Sequence, residues 1–162
     1  MKTLFYLSLI LLIAFMASAQ LGVLRGKQPP DLGIKAGRLK PPSLTRNSVS
    51  SQAKQYPDHP QREYADITPF PLPNQDGAAS LAILAQALAG IRGITVIEQR
   101  PDYLYAQAET RWLKFVDDLE FWVNPVEGVL EVRSASRLGS EDFGVNRQRI
   151  ETIRAAYLAR LP

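Results

Sequence analysis

Phe115-Val116-Asp117-Asp118-Leu119-Glu120-Phe121-Trp122-Val123, then the turn Pro125 to Gly128, then Val129-Leu130-Glu131-Val132-Arg133-Ser134-Ala135-Ser136, is the stretch that decides the fold. Side chains alternate across a strand. Asp118, Glu120 and Trp122 therefore share one face of the first run, opposite Asp117, Leu119, Phe121 and Val123. In the second run Glu131 and Arg133, continued by Arg137, oppose Val132, Ser134 and Ser136. A turn this short between two such runs predicts an antiparallel hairpin. It brings Arg133 within reach of Asp118 or Glu120 as a cross-strand ion pair.

Working upstream, Tyr103 to Glu109 and Ile94 to Glu98 read as two more strands, joined by a turn at Pro101-Asp102. Ala78 to Gly90 reads as a helix. Leu81, Leu84, Leu88 and Ile91 fall on one face, Asn74 or Asp76 caps its start, and Gly90 or Gly93 ends it. Tyr64 to Thr68 is a short strand candidate. Downstream, Asn146 to Arg160 is helical, with Ile150, Ile153, Tyr157 and Leu161 on one face and Asn146 as N-cap. The predicted order is β-α-β-β-β-β-α. This is an α+β domain: an antiparallel sheet of about five strands with two helices on one face.

The N-terminus has a different character. Leu4 to Met16 is almost purely apolar and is followed by Ala17-Ser18-Ala19. Small residues at the −3 and −1 positions suit a signal peptidase, so residues 1–19 read as an export signal cleaved before Gln20. The low-charge stretch continues to about Leu24, long enough for a membrane anchor. Anchored chains divide between an exported domain and, by the positive charges that follow, a cytoplasmic one. The cleaved signal is favoured over the anchor, and the periplasm or the periplasmic face of the inner membrane is the expected location.

Residues 25–54 are rich in Pro and Gly and read as a linker or arm, which leaves 55–162 as a single domain. The arm carries seven basic residues and one acid, whereas residues 55–162 carry eleven basic residues and fifteen acids. A basic arm beside an apolar segment suits an anionic membrane surface better than nucleic acid, at about 1 kcal/mol per basic residue. The chain has no cysteine, which excludes disulfides, thiolate metal sites and cysteine nucleophiles. His59, the one histidine, lies in a turn of prolines and offers neither a metal set nor a base for Ser134 or Ser136.

The candidate site is the region of Arg133, Arg137, Arg147 and Arg149 together with Asp118 and Glu120. Guanidinium forks suit a carboxylate or phosphate, and the loop Arg137 to Asn146 precedes a helix start. A salt-bridged sheet face accounts for the same residues without any ligand. The function these features favour is a non-enzymatic module for a small anionic or amphipathic ligand, or for a protein partner, with no cofactor, no metal and no nucleic acid. A carboxylate- or metal-dependent hydrolase using Asp117, Asp118 or Glu120 is the alternative.

The string Val132-Arg133-Ser134-Ala135-Ser136-Arg137-Leu138-Gly139, with Asp142, Gly144-Val145-Asn146-Arg147 and Arg149-Ile150-Glu151, resembles the domain-of-unknown-function family 1499. Phe115 to Asp118 with Glu120, Leu32-Gly33, Gly37-Arg38-Leu39 and Asn47 to Gln52 fit the same pattern, so the resemblance spans about residues 30–160. It implies a bacterial protein that often carries an export or membrane segment, and no agreed activity. Many members have paired cysteines before the Val-Ser-Ser stretch, one of them directly after the Asn. Ser48 stands there in this chain, so any disulfide or metal role of that stretch is absent.

Overall fold

The computed structural model describes residues 1–162. Its elements are α1 (Lys2–Gln20), β1 (Ser48–Ser50), α2 (Arg62–Ala65), β2 (Phe70–Pro71), α3 (Gly77–Ala89), β3 (Ile94–Gln99), β4 (Tyr103–Glu109), β5 (Val116–Asn124), β6 (Val129–Ser136) and α4 (Val145–Leu158). One six-stranded sheet runs in the order β1-β6-β5-β4-β3, and β2 pairs with the end of β6 beyond β1. Every strand pairing in it is antiparallel. The fold is the expected α+β class, with α3 and α4 on one face of the sheet.

The hairpin of β5 and β6 is the centre of the sheet. Leu119, Phe121, Leu130 and Val132 point toward the helices and meet Leu81, Leu84 and Leu88 of α3 and Ile150, Ile153 and Tyr157 of α4. Phe70 closes the cluster, stacked edge-on against Phe121 at 5.8 Å between ring centroids. All of these are buried. Each large side chain removed from water in this way contributes roughly 1.5–3 kcal/mol. Asp76 caps α3 by accepting from the Ala79 N–H at 2.9 Å.

Three expectations change. The Tyr64–Thr68 strand is absent: Arg62–Ala65 form a single helical turn, and the strand comes later, at Phe70–Pro71. Asn146 is not the N-cap of the last helix. Gly144 holds that position in the left-handed region, and Asp142 accepts from the Gly144 and Asn146 N–H groups. An N-terminal amide needs an acceptor, and a carboxylate two residues before the N-cap supplies it better than an amide inside the first turn.

The third change concerns residues 25–54. These do not hang from the domain. Ser48, Val49 and Ser50 form β1, opposite Ala135, Ser134 and Arg133. Leu39, Asn47, Gln52 and Ala53 are buried. Pro/Gly composition reports correctly that this stretch lacks regular periodicity, but irregular backbone packs well when its polar groups find partners. The arm lies across the sheet face that the helices leave bare.

Candidate functional site

The face away from the helices is built from alternate residues of three strands: Tyr103 and Tyr105 of β4, Asp118, Glu120 and Trp122 of β5, and Glu131 and Arg133 of β6. Register sets Tyr105 opposite Glu120 and Glu120 opposite Arg133. The Glu120 Oε2 atom accepts from Arg133 at 3.2 Å, and Oε1 accepts from the Tyr103 hydroxyl at 3.0 Å and from the Gly33 N–H at 2.7 Å. Arg133 donates its Nε–H to the Pro41 carbonyl. Asp118 binds the fork of Arg137, with 2.7 Å from Nη2, and takes the Tyr105 hydroxyl at 2.6 Å. Glu131 accepts from Ser51 and Asn124.

Above this floor lies the arm. Leu39 packs with Tyr103, Tyr105 and Trp122, flanked by Leu32 and Ile34. Gln52 holds Leu39 through the backbone N–H at 2.8 Å, and Tyr56 donates to the Leu39 carbonyl. Gly33 reaches Glu120 with φ at +95°, a conformation that glycine enters freely and other residues do not. The charges are thus enclosed between sheet and arm, and every buried polar side chain has a partner.

Burial shapes the tyrosines. Desolvation, with the Asp118 hydrogen bond second, pushes the Tyr105 hydroxyl up to about 12. Desolvation and the Glu120 charge raise Tyr103 further still. Both therefore stay protonated and donate. Burial alone lowers Arg137, but its bonds and charge interaction with Asp118 outweigh that, so the guanidinium is held firmly charged.

The six residues expected at the site divide by sheet face. Arg133, Arg137, Asp118 and Glu120 come together under the arm. Arg147 and Arg149 lie on α4, across the sheet from them. Arg149 pairs with Asp117 at 2.6 Å, and Arg147 donates to the Tyr64 and Asp66 carbonyls. No four-arginine anion cradle forms, because the sheet separates the two pairs. Asp117, Asp118 and Glu120 are each bound to an arginine, so none is a free base. His59 accepts from Gln61 within its own turn, and the Ser134 hydroxyl binds Asn146. No three acidic or histidine side chains converge as metal ligands.

Sequence reading missed Tyr103, Tyr105, Gly33 and Leu39. The alternation of β4 places both tyrosines on the face of Asp118 and Glu120, and that signal was available. Nothing in the sequence aims Gly33 or Leu39 at the sheet.

A concavity of about 560 Å³ lies between arm residues 28–34 and the β3–β4 hairpin. Leu32 and Ile34 form an apolar wall, and Glu98, Arg100, Asp102 and Tyr103 form a polar one. Arg100 stacks over the Tyr103 ring at 4.6 Å, pairs with Glu98 at 3.3 Å and remains half-exposed.

A family model described as a protein of unknown function (DUF1499) matches residues 38–157. The chain belongs to this family. No curated protein and no solved structure matches it. The DUF1499 match takes in the second half of the arm, β1 and all of the sheet, and it ends within α4. The arm from Arg38 onward is therefore part of the DUF1499 domain. The paired-carboxylate floor is made of DUF1499 residues, whereas the apolar wall of the groove, Leu32 and Ile34, precedes the match.

A second polar cluster joins β6 to α4. Asp142 accepts from the Tyr64 hydroxyl and from the Asn146 side chain. Burial alone raises its carboxyl, but these bonds and two backbone N–H groups hold it below the usual value of 3.8. Desolvation and the same bond push Tyr64 up to about 12. A depressed carboxyl stabilises the fold above its unfolded pKa and loses that contribution as pH falls through its folded value. A raised phenol stabilises below its unfolded value of 10.0 and loses the contribution as pH rises toward 12. The melting temperature should therefore fall at both extremes. Asp142→Asn should flatten the acid limb and Tyr64→Phe the alkaline limb, as thermal melts across pH will show.

Proposed function

We propose that this protein is a non-enzymatic binding module of the bacterial envelope, and that its ligand occupies the groove between the arm and the β3–β4 hairpin. The observation that carries this reading is the saturation of every carboxylate and arginine beneath the arm, beside an open groove. Groups locked in mutual ion pairs hold a surface rigid but move no protons. The groove, by contrast, has one apolar wall, one polar wall and a half-exposed arginine, which suits a small amphipathic molecule with an anionic head. The α1 helix is an apolar segment of 19 residues with mean hydropathy 1.9, compatible with either an export signal or an anchor. That supports placement at the envelope.

The test is thermal melting of the full chain in mild detergent with three probes: inorganic phosphate, dihexanoyl phosphatidylglycerol below its micelle concentration, and soluble cell-wall muropeptides. At a hundredfold excess over Kd, binding adds about 2.7 kcal/mol, or roughly 5–10 °C in a chain of this size. Arg100→Glu should abolish the shift while leaving the unliganded melt close to the parent. Absence of a shift with all three probes refutes the groove as a ligand site.

A further inference from the structure

The end of the sheet where α1 joins the domain carries large apolar side chains that the fold does not use. The β4–β5 connection closes tightly, with the Thr110 N–H bonded to the Phe115 carbonyl and Lys114 in the left-handed region. At its tip Trp112 is 63% exposed, with the Arg111 guanidinium 4.9 Å from its ring. The β6–α4 loop lies beside this connection: Thr110 and Phe115 share one concavity of about 250 Å³ with Leu138, Phe143 and Val145. Phe143 is 90% exposed at φ +52°. A bulky residue is uncommon in that region of backbone space, and here it buries nothing in return.

The same end receives the apolar helix. Gln20, the last residue of α1, donates its side-chain N–H to the Trp112 carbonyl at 2.7 Å. Arg25 pairs with Glu109 at the base of the same hairpin. At Gly26 the chain passes so close to β6 that an added Cβ would stand 2.8 Å from the Arg137 Cβ. The helix is therefore pinned to this end rather than joined to it by a free tether. Its side chains are almost all exposed, and its 19 residues span about 28 Å, the thickness of a hydrocarbon core. Trp beside Lys and Arg, at the end of an apolar helix, is the composition of a membrane interface.

We propose that the Arg111–Lys114 hairpin tip and Phe143 enter the headgroup layer of an anionic bilayer, so that the domain sits on the lipid in one fixed orientation. Trp112 and Phe143 occupy the boundary between headgroups and acyl chains, and Arg111, Lys114 and Lys27 meet the phosphates. The inference rests on the membrane reading of α1. It is independent of the groove, whose ligand is tested by melting.

The chain has two tryptophans, and Trp122 is buried under the arm, so Trp122→Phe leaves Trp112 as a single reporter. This full-length variant is placed in vesicles of phosphatidylcholine and phosphatidylglycerol with brominated acyl chains. Trp112 emission should fall in brominated relative to unbrominated vesicles, as for a ring at the headgroup–acyl boundary, and should be shielded from acrylamide. Adding Phe143→Ser, Arg111→Glu and Lys114→Glu should remove both effects while α1 still resists carbonate extraction. Arg111 and Phe143 are exposed, whereas Lys114 is half-buried and pairs with Glu109 at 2.8 Å, so circular dichroism will verify that the variant is folded. Quenchable Trp112 emission that ignores brominated lipid overturns the proposal. So does acrylamide shielding without bromine quenching, which would mark a contact between two copies. Release of the chain by carbonate overturns the membrane reading of α1 and the proposal with it, and leaves the groove untouched.

Discussion

Arg133→Ala should cost about 3–5 kcal/mol in a urea titration, because it strands the Glu120 carboxylate inside the protein. The side chains of Glu120 and Arg133 are 0% and 3% exposed. Removing one partner leaves a charge with neither water nor counter-ion. A domain of this size has only about 5–15 kcal/mol in total, so the variant sits near the edge of folding. Two comparisons make the cause visible. Arg100→Ala breaks an ion pair that is half-exposed on both sides, and should cost less than about 1 kcal/mol. The double change Glu120→Gln with Arg133→Met removes both charges and should recover much of the loss, since desolvation no longer has to be offset. The arm supplies a second readout. Glu120 also binds the Gly33 N–H and Arg133 the Pro41 carbonyl, so trypsin should cut at Lys35 and Arg38 faster in Arg133→Ala than in the parent. Equal losses for the buried and the exposed pair would refute this account of the floor.

That ion pair was legible in the sequence because alternation and a short turn are local. The residues Glu120 and Arg133 lie within one hairpin, and their register follows from its geometry. The arm was not legible. Ser48 pairs with Ala135, and the three residues of β1 carry too little pattern to announce a strand by themselves. A short edge strand is decided by the partner it finds, not by its own propensity. Grouping Arg147 and Arg149 with Arg133 and Arg137 failed for a related reason. Closeness in sequence does not say which side of a sheet the following helix will cover, and here α4 folds back across the opposite face. The strand at Tyr64–Thr68 was lost to proline: Pro69 and Pro71 push the pairing segment two residues on, where only Phe70 and Pro71 reach β6.

Asn146 shows where a capping signal misleads and what it conceals. The residue is fully buried. Its Nδ2 group donates to the Asn47 carbonyl at 3.1 Å, Ser136 Oγ at 3.0 Å and Asp142 at 2.7 Å. Its Oδ1 atom accepts from the Ser134 hydroxyl and from Arg149. One amide thus fastens the arm, β6, α4 and the capping carboxylate together. Asn146→Ala should cost about 2–3 kcal/mol, chiefly because the buried Ser134 hydroxyl loses its acceptor at roughly 1–3 kcal/mol, while the half-buried Ser136 adds less. The Asn47 carbonyl and Asp142 keep other donors and add less. Asn146→Asp is the sharper test because it conserves shape. It sets a second carboxyl against Asp142 where a donor stood, and two carboxylates in contact cannot both ionise. One member of the pair then has its pKa raised on folding. A raised folded pKa contributes in full below the unfolded value and loses that contribution as pH rises through the folded one, so this variant should gain stability as pH falls from 7 toward 4. The parent, with Asp142 depressed, loses stability in the lowest part of that range and below it. Opposite slopes in urea midpoints across this window identify Asn146 as a hydrogen-bond hub. Parallel slopes mean that the amide is held there by packing alone, and that the arm is fastened by the Glu120 and Arg133 contacts without it.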